Sequence, residues 1–426
     1  MIKWYRLDNA ANLFPSVTNL YNTSVYRVSV LLKEQIDRDI LQKSLERVYH
    51  RFPMLFVRLH KGVFWNYLEQ NTNKFIVEEE TEYPCNYITT IKENSYLLRV
   101  FYYSNRISVE IFHSLTDGTG AIEFLKSLLY YYLIFSGHTI RLDQKILLAD
   151  GGVDPCDIED SFNNYYKKIV AKPKIEQNAY RVSGTQFENY GNNVIHGVVS
   201  ASKLNAIAKQ KGATITSFLT ALIIYSIYQT RIQYSNDRRP IVVTVPVNLR
   251  HFFPSKTLRN FFDVVNISAT VTGETTLDQI ILKTTEMLKE KTQKENLLQS
   301  LSKNVLLEKF GAVKLVPLFV KNIFVNLGFD IFGENKKTIT LSNLGKILLP
   351  QDMYEYVQQF EAVLYTTPKS PINCGVCSTN DRLVISFSRV IVETDIIQYF
   401  FSYLSEKEGI DVEIYSNDWG IDHDKM

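Results

Sequence analysis

Phe112-His113-Ser114-Leu115-Thr116-Asp117-Gly118 is the stretch on which the reading of this chain turns. Just before it, Ile107, Val109 and Ile111 alternate with period two, so they share one face of a strand, and the alternation carries His113 onto that same apolar face. Just after it, Asp117-Gly118 is a strong turn pair that leads into an apolar segment, residues 121–135, read as a helix. A histidine at the carboxyl end of a strand, beside a glycine-bearing turn, is placed to face a cleft. Its ordinary pKa near 6.5 leaves the imidazole mostly neutral at cellular pH, so it can take a proton from a hydroxyl or amine as general base. The same residues would serve a hydrogen-bonded core histidine followed by an ordinary turn. The surroundings have to decide.

Outward from the motif, the first half reads as strand 26–32, helix 37–50, a strand from 56–59, a hairpin of 97–103 and 106–112 joined at Ser104-Asn105, and the helix 121–135. Pro53 marks the end of the first helix, because the residue before a proline is pushed out of helical geometry. Residues 139–180 break this rhythm, with a loop at Asp150-Gly151-Gly152-Val153-Asp154-Pro155 and a polar, lysine-bearing stretch after it. The domain junction is placed there, dividing the chain into 1–178 and 179–426. The second half then gives strand 194–199, helices 202–210 and 216–229, and strand 241–245 ending in Pro246-Val247-Asn248-Leu249-Arg250. A strand at 264–271, helices over 276–294 and part of 300–325, strands near 338–342, 360–366, 372–378 and 383–387, and a helix 394–405 complete it. Strands and helices interleave in both halves, so the fold class is α/β or α+β.

Composition narrows the function classes. At 426 residues the chain exceeds what one core usually supports, and 45% hydrophobic with 22% charged residues is ordinary for a globular protein. A net charge of +2, with no long run of Lys and Arg, gives no field for nucleic acid. The start, Met1-Ile2-Lys3-Trp4-Tyr5-Arg6, lacks the apolar segment of a secretory signal, and a cytoplasmic location is expected. The apolar stretch 127–135 is too short to span a bilayer, and 313–332 is interrupted by Lys314, Pro317, Lys321 and Asp330. The second is read as a buried or partner-facing helix in preference to the lesser alternative, a segment that touches lipid or a greasy substrate.

Competing chemistries find little support. Cys85, Cys156, Cys374 and Cys377 are too few for a disulfide framework. Cys374-Gly375-Val376-Cys377 has no second pair to complete a zinc site, and positions three apart on a strand point to opposite faces, so no metal is expected. The remaining histidines, His50, His60, His138, His196, His251 and His423, show no ligand spacing. There is no Gly-x-Ser-x-Gly elbow, phosphate loop or His-Glu-x-x-His, and Gly118-Thr119-Gly120 lacks the third glycine of a dinucleotide site. The acidic residues of 418–424 read as a solvated terminus.

His113-Ser114-Leu115-Thr116-Asp117-Gly118 followed by a helix resembles the signature of the chloramphenicol acetyltransferase-like superfamily, which includes alcohol acetyltransferases and nonribosomal peptide condensation domains. Other pieces are similar and fall in order: the segment from Leu41 to Leu55, Pro246-Val247-Asn248-Leu249-Arg250, Asn260-Phe261-Phe262-Asp263-Val264-Val265-Asn266, and Leu341-Ser342-Asn343-Leu344-Gly345. The resemblance implies two similarly folded α/β subdomains with mixed sheets packed into a V, and an active-site tunnel between them. It implies His113 as base, Asp117 as a structural residue paired with Arg250, Gly118 as room for a close backbone approach, and Ser342 or Asn343 as donors to an oxyanion. It further implies acyl-CoA as co-substrate and no permanently bound cofactor, with a small alcohol as acceptor and no acyl-enzyme. A carrier-protein phosphopantetheine thioester with an amine acceptor is the alternative, as is a non-catalytic member that only binds in the tunnel. Phe112 stands where condensation domains usually carry a second histidine, which favours the O-acyltransferase branches. The plant-type Asp-Phe-Gly-Trp-Gly motif is missing.

Overall fold

The period-two segments of the sequence become the strands of two mixed sheets and a small third one. The structure, a computed structural model, describes residues 3–89, 95–168, 176–187, 191–233, 235, 237–309 and 316–417. The acidic stretch 418–424 with His423, and residues 313–315 of the apolar segment, lie outside the described residues.

In the first half the elements are β1 (Trp4–Arg6), α1 (Phe14–Val17), β2 (Val25–Leu32), α2 (Arg38–Val48), β3 (Val57–Lys61), β4 (Asn66–Gln70), β5 (Glu78–Glu79), β6 (Leu98–Tyr103), β7 (Arg106–Phe112), α3 (Gly118–Phe135) and α4 (Ser161–Tyr165). The second half has β8 (Asn193–Ser200), α5 (Ala201–Gln210), α6 (Ile215–Ile227), β9 (Ile241–Asn248), β10 (Phe262–Ala269), α7 (Leu277–Lys291), α8 (Lys294–Lys309) and α9 (Leu318–Gly328). It closes with β11 (Ile339–Lys346), β12 (Val357–Val363), β13 (Ile372–Thr379), β14 (Arg382–Arg389), α10 (Asp395–Ser402) and β15 (Glu413–Ser416). Strand order is β12-β2-β7-β6-β5 in one sheet and β10-β9-β11-β13-β14-β8-β15 in the other, with β1-β4-β3 apart.

Among the described residues two large apolar cores result, one on each of the two large sheets. The first gathers Val28, Val109, Leu125 and Phe124 between its sheet and α3, and the second gathers Phe218, Leu222, Ile385 and Phe400 between its sheet and α6 and α10. The halves are not independent along the chain. Strand β12 pairs antiparallel with β2, with Phe360 opposite Val30, and Ile347, Leu349, Met353 and Phe360 all belong to the first core. The proposed division at 178/179 therefore describes chain order, with one later segment crossing back. Cys374 and Cys377, both buried and free, fall in different cores, as opposite faces of β13 require.

Local departures from the sequence expectation have physical causes. Strand β9 runs through Pro246 to Asn248 instead of stopping at Val245. Beyond Thr244 it pairs only with β10, so it has become an edge there, where a proline costs no ladder hydrogen bond. Helix α3 begins at Gly118 and not Ala121 because Asp117 caps it, its Oδ1 accepting from the N–H groups of Thr119 at 3.0 Å and Gly120 at 3.4 Å. The helix expected over 276–294 ends at Lys291, and α8 starts separately at Lys294. The short strands β1, β4, β5 and β15 lack the length to declare a period.

Of the two readings of 313–332, a buried or a partner-facing helix, the structure excludes the buried one for α9. None of the residues of α9 is buried, and Phe319, Ile323, Phe324 and Leu327 are among the most exposed apolar side chains of the described residues. No single described helix is long and apolar enough to cross a membrane.

The two sheets approach closely where a Cβ on Gly375 of β13 would run into the carbonyl oxygen of Ala362 in β12. Gly375→Val should therefore lower stability by about 1–3 kcal/mol through overpacking, measured as a fall in Tm. Gly273→Ala, whose added methyl meets only open space and the Tyr228 hydroxyl at 3.8 Å, should leave Tm near the wild-type value.

Candidate active site

A cavity of about 1860 Å³ takes its walls from both halves: Phe14, Tyr26, His113 and Gly118 from the first, and Asn248, Phe262, Ser342 and Asn343 from the second. His113 follows the last residue of β7, and its N–H donates to the carbonyl of Ser24 at 2.9 Å. Ser24 holds a left-handed backbone, φ 51°, a conformation a serine adopts at a cost, so the hinge before β2 is strained where it meets the histidine. The imidazole stacks on Phe14 with ring centroids 4.5 Å apart and is flanked by Tyr26 at 4.8 Å and Phe262 at 5.3 Å.

One side of the ring is fixed by a residue that pattern reading did not assign. Asn260 Nδ2 donates both to the His113 carbonyl at 3.0 Å and to Asp8 Oδ2 at 3.2 Å. Both amide hydrogens are then used, so Oδ1 is what faces His113 Nδ1, at 3.1 Å. An acceptor there requires the proton on Nδ1 and leaves the lone pair on Nε2. Nε2 has no hydrogen bond to the described residues. Burial pushes the His113 pKa below its usual value, opposed by the nearby Asp117 and Asn260, so the ring stays neutral at physiological pH.

Asp8 is fully buried behind Asn260. Burial pushes its carboxyl up to about 6, against the opposing charge of Arg259, 3.5 Å away, and the Ala11 N–H at 2.7 Å. Neither Asp8 nor Asn260 was readable from sequence as part of a site. Asn260 opens a segment singled out only by resemblance, and Asp8 lies more than two hundred residues from its partner.

Asp117 uses its two oxygens for different tasks. Oδ1 caps α3, while Oδ2 accepts from Arg250 Nη1 at 2.7 Å and from the Phe261 N–H at 2.8 Å. Arg250 is held in turn by the carbonyls of Thr257 and Arg259 and by Asn248 Oδ1. Both side chains are largely buried. The structure thus brings His113, Asp117 and Arg250 together, with Asp117 directed away from the imidazole nitrogens.

Glycine roles differ from the expectation. At Gly118 an added Cβ would meet only the end of the Leu344 side chain, whereas at Gly120 it would strike the Leu258 carbonyl and the Thr116 hydroxyl. The close backbone approach is therefore at Gly120. Ser342 and Asn343 both line the cavity. Asn343 donates through Nδ2 to Thr216 Oγ1 at 3.0 Å and accepts from the Gly345 N–H, where φ is +73° and glycine is required. The Ser342 hydroxyl has no hydrogen bond to the described residues. His196, by contrast, is a buried structural residue bonded to Ser386 at 2.9 Å.

A mixed two-sheet molecule with its histidine motif on a cavity between the halves has the fold of the chloramphenicol acetyltransferase-like superfamily. F. graminearum TRI101 in complex with coenzyme A and T-2 mycotoxin superposes with TM-score 0.64 at 10% identity, covering 96% of this chain and 99% of that one. The first condensation domain of the CDA synthetase gives 0.59 at 12%, covering 95% and 96%. Polyketide synthase associated protein 5 from Mycobacterium tuberculosis gives 0.58 at 13%, covering 95% and 97%. No curated protein sequence matches this chain. Residues 160–393 match the alcohol acetyltransferase family model; the chain belongs to that family and is an acyltransferase.

Removing one partner of the Asp117–Arg250 pair leaves a buried charge uncompensated, so Asp117→Asn should cost about 3–5 kcal/mol of stability. Its thermal melt should fall well below that of His113→Ala; equal Tm values would refute a structural role. Asp8 contributes with the opposite sign to an ordinary carboxylate. Its folded pKa of about 6 lies above the usual unfolded value near 3.9. The folded state takes up that proton first, so stability relative to Asp8→Asn should rise as pH falls from 7 to 5, measured by denaturant midpoints.

Proposed function

We propose that this enzyme transfers an acyl group from acyl-CoA to an alcohol hydroxyl in a ternary complex, with His113 as general base and no acyl-enzyme. The observation that carries this reading is the imidazole itself: neutral, on the cavity wall, anchored at Nδ1 by Asn260 and with Nε2 unengaged. Nε2 takes the hydroxyl proton as the oxygen attacks the thioester carbonyl. The tetrahedral oxyanion then collapses, the carbon–sulfur bond breaks, and the imidazolium returns the proton to the departing thiolate. Ser342, with an unengaged hydroxyl on the same cavity, is the better placed of the two expected donors to stabilise that oxyanion; Asn343 is committed to Thr216 and the Gly345 turn. Arg6 and Lys346 on the wall supply positive charge for a donor with phosphate groups, while Lys126 and Lys145 there are paired with Glu123 and Asp143.

Support for coenzyme A over a carrier-protein thioester comes from the family match and from Phe112, which is fully buried in the position of the second condensation-domain histidine. A role limited to binding fits less well, because the imidazole is neither walled off from the cavity nor bonded at both nitrogens.

Thiol release from acetyl-CoA and longer acyl-CoAs, assayed with a panel of alcohols and amines, tests the proposal. His113→Ala should lose about 10²–10⁴-fold in kcat; full activity in that variant would end the mechanism. Because the folded pKa of His113 is depressed, kcat/KM should stay flat from pH 8 to below 6.5 and fall only under it. Asn260→Ala, which frees the ring, should reduce kcat more than it raises KM.

A further inference from the structure

Helix α9 is tied to the rest of the protein by polar side chains and leaves an apolar strip outside. Asn322 accepts from the Ser16 hydroxyl at 2.8 Å, Asn326 Nδ2 donates to the Ser16 carbonyl at 2.8 Å, and Lys321 Nζ reaches the Phe64 carbonyl at 2.8 Å. These polar residues attach the helix to α1 and to the β3–β4 turn. On the other side Phe319, Ile323, Phe324 and Leu327 are 70, 63, 68 and 56% exposed, and their spacing of four, one and three residues keeps them on one side of the helix. Ile331 extends the strip, and the β3–β4 turn beside it, joined through the Leu318 N–H to the Val63 carbonyl, adds exposed Val63, Phe64 and Trp65. Within 316–333 the one carboxylate, Asp330, is paired with Lys369 at 2.8 Å.

This surface runs into the cavity that holds His113. Phe64 and Trp65 of the turn, and Lys321, Asn322, Phe324 and Val325 of α9, belong to the cavity wall as well. A path lined by both apolar and polar side chains therefore leads from the edge of this surface, at Phe64, Trp65 and Phe324, to the histidine.

We propose that the outer face of α9 and the Val63–Phe64–Trp65 turn dock on a lipid surface, opening the cavity towards the acyl region. Three features select lipid as the occupant. Specific protein interfaces carry roughly one hydrogen bond per 100–200 Å², yet the exposed side chains of this strip, except the Trp65 indole, have no polar atom with which to make one. A second copy seated on the strip would cover the mouth to which Phe64 and Phe324 contribute, whereas a fluid hydrocarbon phase leaves the path open to solutes dissolved in it. Exposed Phe and Leu with a tryptophan beside them are the side chains that settle at a membrane interface. Delivery of an apolar alcohol along this path rests on the acyltransferase reading; the docking does not.

Flotation of the full chain with uncharged phosphatidylcholine vesicles tests the proposal, using Phe319→Ser/Ile323→Ser/Leu327→Ser as the variant. None of these three lines the cavity, and all are exposed, so the variant should keep the wild-type Tm and its turnover of a short, water-soluble alcohol. Wild-type protein should float, at low and high salt alike, and the variant should partition at least tenfold less. Absence of wild-type flotation would overturn the proposal. So would equal flotation of the variant, or binding confined to anionic vesicles and abolished by salt. A wild-type dimer on size exclusion that the variant converts to monomer, without flotation, would assign the strip to a second copy instead. Flotation without any acyl transfer would leave the docking standing and refute the proposed reaction.

Discussion

One carboxylate holds the turn that carries His113 in place. Asp117 stands at the junction of β7 and α3, and its side chain is divided between them and the opposite half of the molecule: one oxygen caps the helix, the other binds Arg250 and the Phe261 amide. The cap fixes where α3 starts, and so where the turn carrying His113 ends. The Arg250 bond fixes that turn against the segment that carries Asn260 and Phe262. Because the pair is desolvated, its geometry is enforced by the cost of breaking it more than by the strength of its attraction.

From that anchor the state of the imidazole follows. Phe261 is tied to Asp117, so its neighbours on either side are placed too: Asn260 against Nδ1 and Phe262 against the ring face. Asp8 then decides which way round the Asn260 amide lies, since its carboxylate can only accept. A chain of three side chains, Asp8, Asn260 and His113, thereby sets a tautomer. In that arrangement the amide carries orientation but no charge, and the acid group is kept one residue away from the ring. The depressed histidine pKa fits a ring flanked by aromatic faces with no carboxylate touching it.

Much of this was legible in the sequence, for reasons that can be named. Strand β7 and helix α3 announce themselves because one face of each is continuously apolar, and the strand period alone carried His113 inward. The pairing of Asp117 with Arg250 was legible only through resemblance to a known superfamily, since nothing in the local pattern joins residues that far apart. Asp8 and Asn260 were missed because their roles exist only after the halves have come together. Helix α9 left two readings open, buried or partner-facing. Apolar content at helical spacing identifies a face, but whether that face meets the core or the outside depends on which side the chain attaches, and here Asn322, Asn326 and Lys321 make the attachment.

Strand β12 has a bearing on how the molecule is made. Val28 and Val30 of β2 find their neighbours Ala362 and Phe360 only after most of the chain exists. While it is being synthesised, the first sheet must wait with β2 as an open edge, its backbone amides unpaired and able to pair wrongly. Its completion is thus a late event of high sequence separation, of the kind that slows folding, and it waits for the arrival of the carboxyl-terminal quarter. A nascent chain released before residue 357 would possess the histidine and the strands on either side of β7, but not the edge strand that closes their sheet.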